Sequence, residues 1–135
     1  MRIHVETTVS APIARVWEAY TTPADITQWN SGHPDWHTPR ATVDLRVGGA
    51  FSSRMEAKDG SMGFDFAGTY TKVEPLKQID SLFGDRTSTV TFTEGPKGVT
   101  VGVDFDGEDE NPEEMQRAGW QTILDNFKKH VEASK

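Results

Sequence analysis

Between Asn30 and Arg40 the chain reads NSGHPDWHTPR, which sets His33, Asp35 and His37 close together and flanks them with Trp29 and Trp36. Imidazole titrates near neutral pH, so two of them beside a carboxylate could supply a general acid and base. They could also begin a metal site, because His-x3-His on a helix directs both rings to one ion. Pro34 and Pro39 oppose a regular helix over this stretch, and the spacing then loses that mechanical meaning. A zinc ion would also need a third ligand from Asp35, His4, His130 or a remote acid, since the chain has no cysteine. No metal is expected here. As catalytic groups, His37 or Asp35 would serve as the base of a cyclase- or hydrolase-type enzyme. No Gly-x-Ser-x-Gly elbow, nucleotide-binding glycine loop or cysteine nucleophile accompanies them, and no cofactor is called for. The third reading is the polar rim of an aromatic pocket.

Two further stretches carry charge in patterns. RMEAKDGSMGFDF sets Arg54, Glu56, Asp59 and Asp65 across a proposed hairpin, and strand alternation through AFSSRMEAK puts Phe51, Ser53, Met55 and Ala57 on one face and Ser52, Arg54 and Glu56 on the other. If the apolar set points inward, Arg54 faces solvent as a cross-strand partner for an acid such as Asp65. If a bulge reverses the order, Arg54 would hold a ligand carboxylate or phosphate. DFDGEDENPEE looks calcium-like, but it lacks EF-hand spacing and reads as a solvated acidic turn that leads into a helix.

Composition narrows the function classes. The chain has 135 residues and a formal charge of −7, a field that repels phosphate backbones and anionic lipid, so neither nucleic acid nor membrane is expected as a partner. Four Trp, two Tyr and seven Phe supply large buried area per residue. The absence of cysteine suits a reducing, cytoplasmic setting. The opening residues, MRIHVETTVSAP, lack the apolar core of a signal peptide, and the length suits one domain over 1–135.

The elements that must position these residues follow from periodicity. IHVETTV alternates as a half-buried strand from Ile3. SAPIARVWEAY turns helical, with Ser10 or Ala11 as cap and Pro12 in the first turn, and a short helix follows over 24–29. Strand and turn then repeat: ATVDLRV from residue 41, AFSSRMEAK, GFDFAGTYTKVEP, QIDSLFGD, STVTFTE and VTVGVDFD, an antiparallel meander of about six or seven strands. Asp59-Gly60 signals a type I′ hairpin turn. A long helix closes the chain over 112–133, with Asn111 as cap, Pro112 first and Glu114 completing a capping box. Its apolar stripe runs through Met115, Gly119, Trp120, Ile123, Leu124, Phe127 and Val131. Gly119 costs about 1 kcal/mol there relative to Ala, which marks close packing or room for a ligand.

Strand, helix, meander and long C-terminal helix is the order of the α+β helix-grip fold. The segments SAPIARVWEAYTTPADITQW, DLRVGGAF, GTYTKVEP and GWQTILDNF together resemble the START-like, birch-pollen-allergen-like (SRPBCC) superfamily, and within it the family related to the activator of heat-shock protein 90 ATPase. That resemblance implies an elongated cavity between sheet and helix. The superfamily carries lipids, hormones and polyketides and includes some cyclases. It also implies a chaperone as an alternative partner, with the domain acting as a co-chaperone-like interaction module. On this basis the expected function is binding of a small, largely apolar molecule. Its walls would be Trp29, Trp36, Met55, Phe66, Phe83, Met115 and Trp120, with His33 and His37 at the entrance.

Overall fold

The computed structural model describes residues 1–134. The first strand, β1 (Arg2–Val9), buries Ile3, Val5 and Val9 and turns Arg2, His4 and Glu6 outward, as its alternation predicts. Helix α1 (Ile13–Thr21) starts later than expected. Pro12 is itself the extended residue before the helix, and its carbonyl accepts the N–H groups of Arg15 and Val16 at 3.0 and 3.1 Å. Helix α2 (Pro23–Trp29) begins on Pro23, whose fixed φ suits the first helical position.

The next strand corrects the expected boundary. β2 (Trp36–Val43) includes Trp36, His37 and Pro39, and the expected strand residues after Val43 form a turn instead. Proline is tolerated because β2 is an edge strand, pairing only with β3 (Ala50–Ala57), and because the register shifts between His37 and Arg40. β4 (Gly63–Glu74) follows. The link between β3 and β4 is not a type I′ turn. Of Asp59 and Gly60 only the glycine has positive φ, at +80°, and the Asp59 carboxylate accepts both the N–H and the hydroxyl of Ser61. The short polar side chain thus builds a longer loop.

β5 (Gln78–Phe83), β6 (Arg86–Gly95) and β7 (Gly98–Asp106) complete a curved, fully antiparallel sheet in the order β1-β7-β6-β5-β4-β3-β2. Helix α3 (Glu113–Ser134) closes it, giving the helix-grip arrangement. Its expected capping box does not form. The Asn111 amide and N–H are both taken by the Glu108 carboxylate, and Glu114 pairs with Arg117. The Pro112 carbonyl accepts the N–H groups of Met115 and Gln116 at 3.1 and 3.2 Å, which starts the helical bonding without a side-chain cap from Asn111.

The core is lopsided. Ile3, Val9, Val16, Val101, Phe105, Leu124, Phe127 and Val131 are almost fully buried where α3 packs along β1 and meets α1 and α2. Between them, Arg15 on α1, Asp25 on α2 and His130 on α3 join, with Arg15 and His130 2.9 and 2.7 Å from the Asp25 carboxylate. Toward β3, β4 and β5 the helix stands off from the sheet.

Candidate functional site

The space left under the N-terminal half of α3 is a cavity of about 480 Å³. Sheet curvature makes its floor, because inward positions alternate along each strand: Phe51, Ser53 and Met55 on β3, Phe66 and Tyr70 on β4, Ile79 and Ser81 on β5, and Ser88 and Val90 on β6. Its roof is Gly119, Trp120, Ile123 and Leu124 on α3. Trp120 stacks on Phe105, with ring centroids 4.0 Å apart, and this pair fixes one wall. Tyr20 and Trp29, packed on each other and on Phe127, close the inner end. The Trp29 indole donates to the Ala19 carbonyl at 2.9 Å, so its ring plane is held from behind. Phe64 and Met115 line the cavity and are also about half exposed, at 48% and 60%, which places its mouth between the β3–β4 hairpin and the start of α3.

Gly119 has a packing meaning here. A Cβ built on it would meet no heavy atom within 4 Å, so close packing of its own side does not demand the glycine. Its carbonyl is instead approached by Gly32, where a Cβ would lie 3.2 Å from the oxygen. Gly32 lets the loop after α2 pass close to the helix backbone, and Gly119 leaves space on its own side of the helix.

Of the residues expected as walls, Trp29, Met55, Phe66, Met115 and Trp120 line this cavity. Phe83 does not. It stands at the end of β5 on the same face as Ile79 and Ser81, its ring 5.1 Å from that of Phe66 and beneath the Arg86 guanidinium at 5.0 Å. Trp36, His33 and His37 line a second depression with Thr27, Gln28 and Lys58, which shares only Asn30 with the cavity. The reason is the early start of β2, which carries Trp36 and His37 along the sheet edge.

The chemistry open to those histidines is limited. His33 Nδ1 accepts the backbone N–H of Asp35 at 3.1 Å, and the Asp35 side chain is 86% exposed. His37 faces Glu56 at 4.0 Å. His4 lies on the outer face of β1 between Glu6 and Asp104, and His130 is bound to Asp25. Among the described residues no group of three or more His, Asp or Glu is arranged to hold a metal ion.

Arg54 faces away from the cavity. Its guanidinium lies 2.9 Å from Glu56 and 3.6 Å from Asp65, and the β3–β4 register runs without a bulge. Sequence reasoning did not find Ser81, Ser88, Tyr70 or Arg86, although each occupies the inward parity of an otherwise apolar alternation. Burial pushes the Tyr20 phenol up and raises that of Tyr70 to about 12, so both are neutral hydroxyls near pH 7. No helix of the described residues is long and apolar enough to cross a membrane.

The family model for Activator of Hsp90 ATPase homolog 1-like protein matches residues 10–132. Among solved structures, the solution structure of the AHSA1-like protein from Aeromonas hydrophila is 44% identical, covering 99% of this chain and 94% of that one with a TM-score of 0.92. The solution structure of Chr148 from Cytophaga hutchinsonii is 42% identical, covering 98% and 93%, with a TM-score of 0.84. The crystal structure of CV1439 from Chromobacterium violaceum is 26% identical over 98% of both chains, also with a TM-score of 0.84. No curated protein matches.

Proposed function

The chain belongs to the Activator of Hsp90 ATPase homolog 1-like family, and from that premise we propose that it binds a small, largely apolar molecule between the sheet and α3. The observation that carries this reading is the cavity itself. Its volume of about 480 Å³ falls in the range of small-molecule sites, roughly 300–1,000 Å³. Its lining is mostly aromatic and aliphatic, with a few polar groups available to fix orientation. In this reading Trp29, Met55, Phe66 and Trp120 form the walls, Met115 and Phe64 the mouth, and Phe83 supports Phe66. Affinity comes chiefly from burial of apolar ligand surface, about 25 cal/mol per Å². Trp36, His33 and His37 belong to the neighbouring surface and contribute little.

The test is native mass spectrometry and tryptophan fluorescence of the purified protein, before and after a panel of apolar acids, sterols and aromatic compounds. The expected result is a retained mass, or saturable quenching that Trp120→Ala abolishes. No retained mass and no response across the panel would contradict the reading and direct attention to protein partners.

A further inference from the structure

The cavity floor carries a polar lane. Tyr70 on β4 pairs in register with Ser81 on β5, and Ser81 with Ser88 on β6, so three hydroxyls cross three adjacent strands in one row. Ser81 and Ser88 are 7% exposed and Tyr70 8%, and all three line the cavity. None of these hydroxyls has a hydrogen-bond partner within the described chain, yet none is sealed from solvent-sized space. Hydroxyls that open onto the cavity without a protein partner offer donors and acceptors to water or to a polar ligand group in an otherwise apolar lining.

Arg86 stands at the end of this row. It lies two residues before Ser88, on the same face of β6, and is the one charged residue among those lining the cavity. No carboxylate of the described residues comes within ion-pair distance of it. Glu108, which feels its charge, is engaged with Asn111 and the N–H of Glu110. The guanidinium rests over the Phe83 ring, which anchors the cation without consuming its N–H donors.

We propose that the ligand is an apolar monocarboxylic acid whose carboxylate is held by Arg86 and by the hydroxyls of Ser88 and Ser81, with its apolar body against Trp120 and Phe66. This rests on the cavity being a ligand site. A guanidinium offers two parallel N–H groups to a carboxylate, and hydroxyl donors satisfy the remaining oxygen lone pairs. A net charge of −7 opposes any anion at long range, so the attraction is local to the lane.

The experiment is calorimetric titration of the full chain with decanoic acid and with 1-decanol at pH 7.5. The expected result is that the acid binds at least tenfold more tightly than the alcohol. Arg86→Gln should lose tenfold or more for the acid and stay within about twofold for the alcohol, which also reports that the variant is folded. Ser81→Ala combined with Ser88→Ala should weaken the acid severalfold. Equal affinity for acid and alcohol, or an Arg86→Gln variant that binds the acid unchanged, would overturn the head-group assignment and leave the cavity reading standing. Failure of the wild type to bind either compound would overturn both.

Discussion

Arg54 and Arg86 carry the same guanidinium and face opposite ways, and strand parity alone decides which one a ligand could meet. Arg54 shares its face with Glu56 and spends its charge on neighbouring acids, while Arg86 shares its face with Ser88, Val90 and Phe92. The same logic separates Trp120 from His37. Trp120 lies in the cavity wall, and His37 lies on the edge strand in a different depression. Trp120→Ala should therefore weaken binding of an apolar ligand by about tenfold or more, the equivalent of about 1.4 kcal/mol lost from burial. His37→Ala should leave affinity within about twofold, as fluorescence titration would show. Of the aromatic residues expected as walls, Trp29, Phe66 and Trp120 line the cavity and Trp36 and Phe83 do not, because residue type marks a large apolar side chain but not which depression it faces. Ser81, Ser88 and Arg86 were not legible, although the signal was present: a polar residue at the inward parity of QIDSLF or RTSTVTF departs from the alternation around it.

At the scale of elements, α3 does two jobs with its two halves. Its C-terminal half is locked by Leu124, Phe127 and Val131 and by the join of Asp25 to Arg15 and His130. Burial alone would raise the Asp25 carboxyl, but hydrogen bonds from Arg15 and His130 outweigh it and hold the pKa below its ordinary 3.8. A carboxyl depressed on folding contributes its full stability above 3.8, and that contribution is lost as pH falls through the lower folded value. The stability of the wild type measured by urea denaturation should accordingly fall below about pH 4, and Asp25→Asn should flatten that acid limb while costing about 2 kcal/mol at pH 7.

The N-terminal half of α3 is spaced off the sheet around Gly119, where a side chain meets open room. Gly119→Ala should raise stability by up to about 1 kcal/mol in thermal melts, because alanine is the better helix former and nothing obstructs it. The long helix, its stripe and the meander were legible from periodicity. The start of β2 was not, since Pro34 and Pro39 read as breakers unless the strand is known to lie at an edge. Nor was the cap of α3, where Glu108 competes for the Asn111 groups that a capping box would use.

Across the whole molecule, packing density divides the fold into a filled half and an open half. Phe127, with no exposed surface, sits in the first, and Phe64, about half exposed at the mouth, in the second. Phe127→Ala should cost about 3–5 kcal/mol and lower the Tm sharply. Phe64→Ala should cost less than about 1 kcal/mol, because it removes little buried surface. A domain that left such space without using it would forgo the dispersion contacts that filled cores supply.

That division makes one comparison decisive: titration of the wild type and of Gly119→Leu with the neutral apolar fluorophore N-phenyl-1-naphthylamine, with the Tm of both followed in parallel. A leucine at this position projects into the cavity and removes the space without touching the packed half. The expected result is saturable one-to-one binding by the wild type, lost in Gly119→Leu while its Tm is kept or raised. Equal binding by the two proteins, or no saturable binding by either, would contradict a ligand site between the sheet and α3.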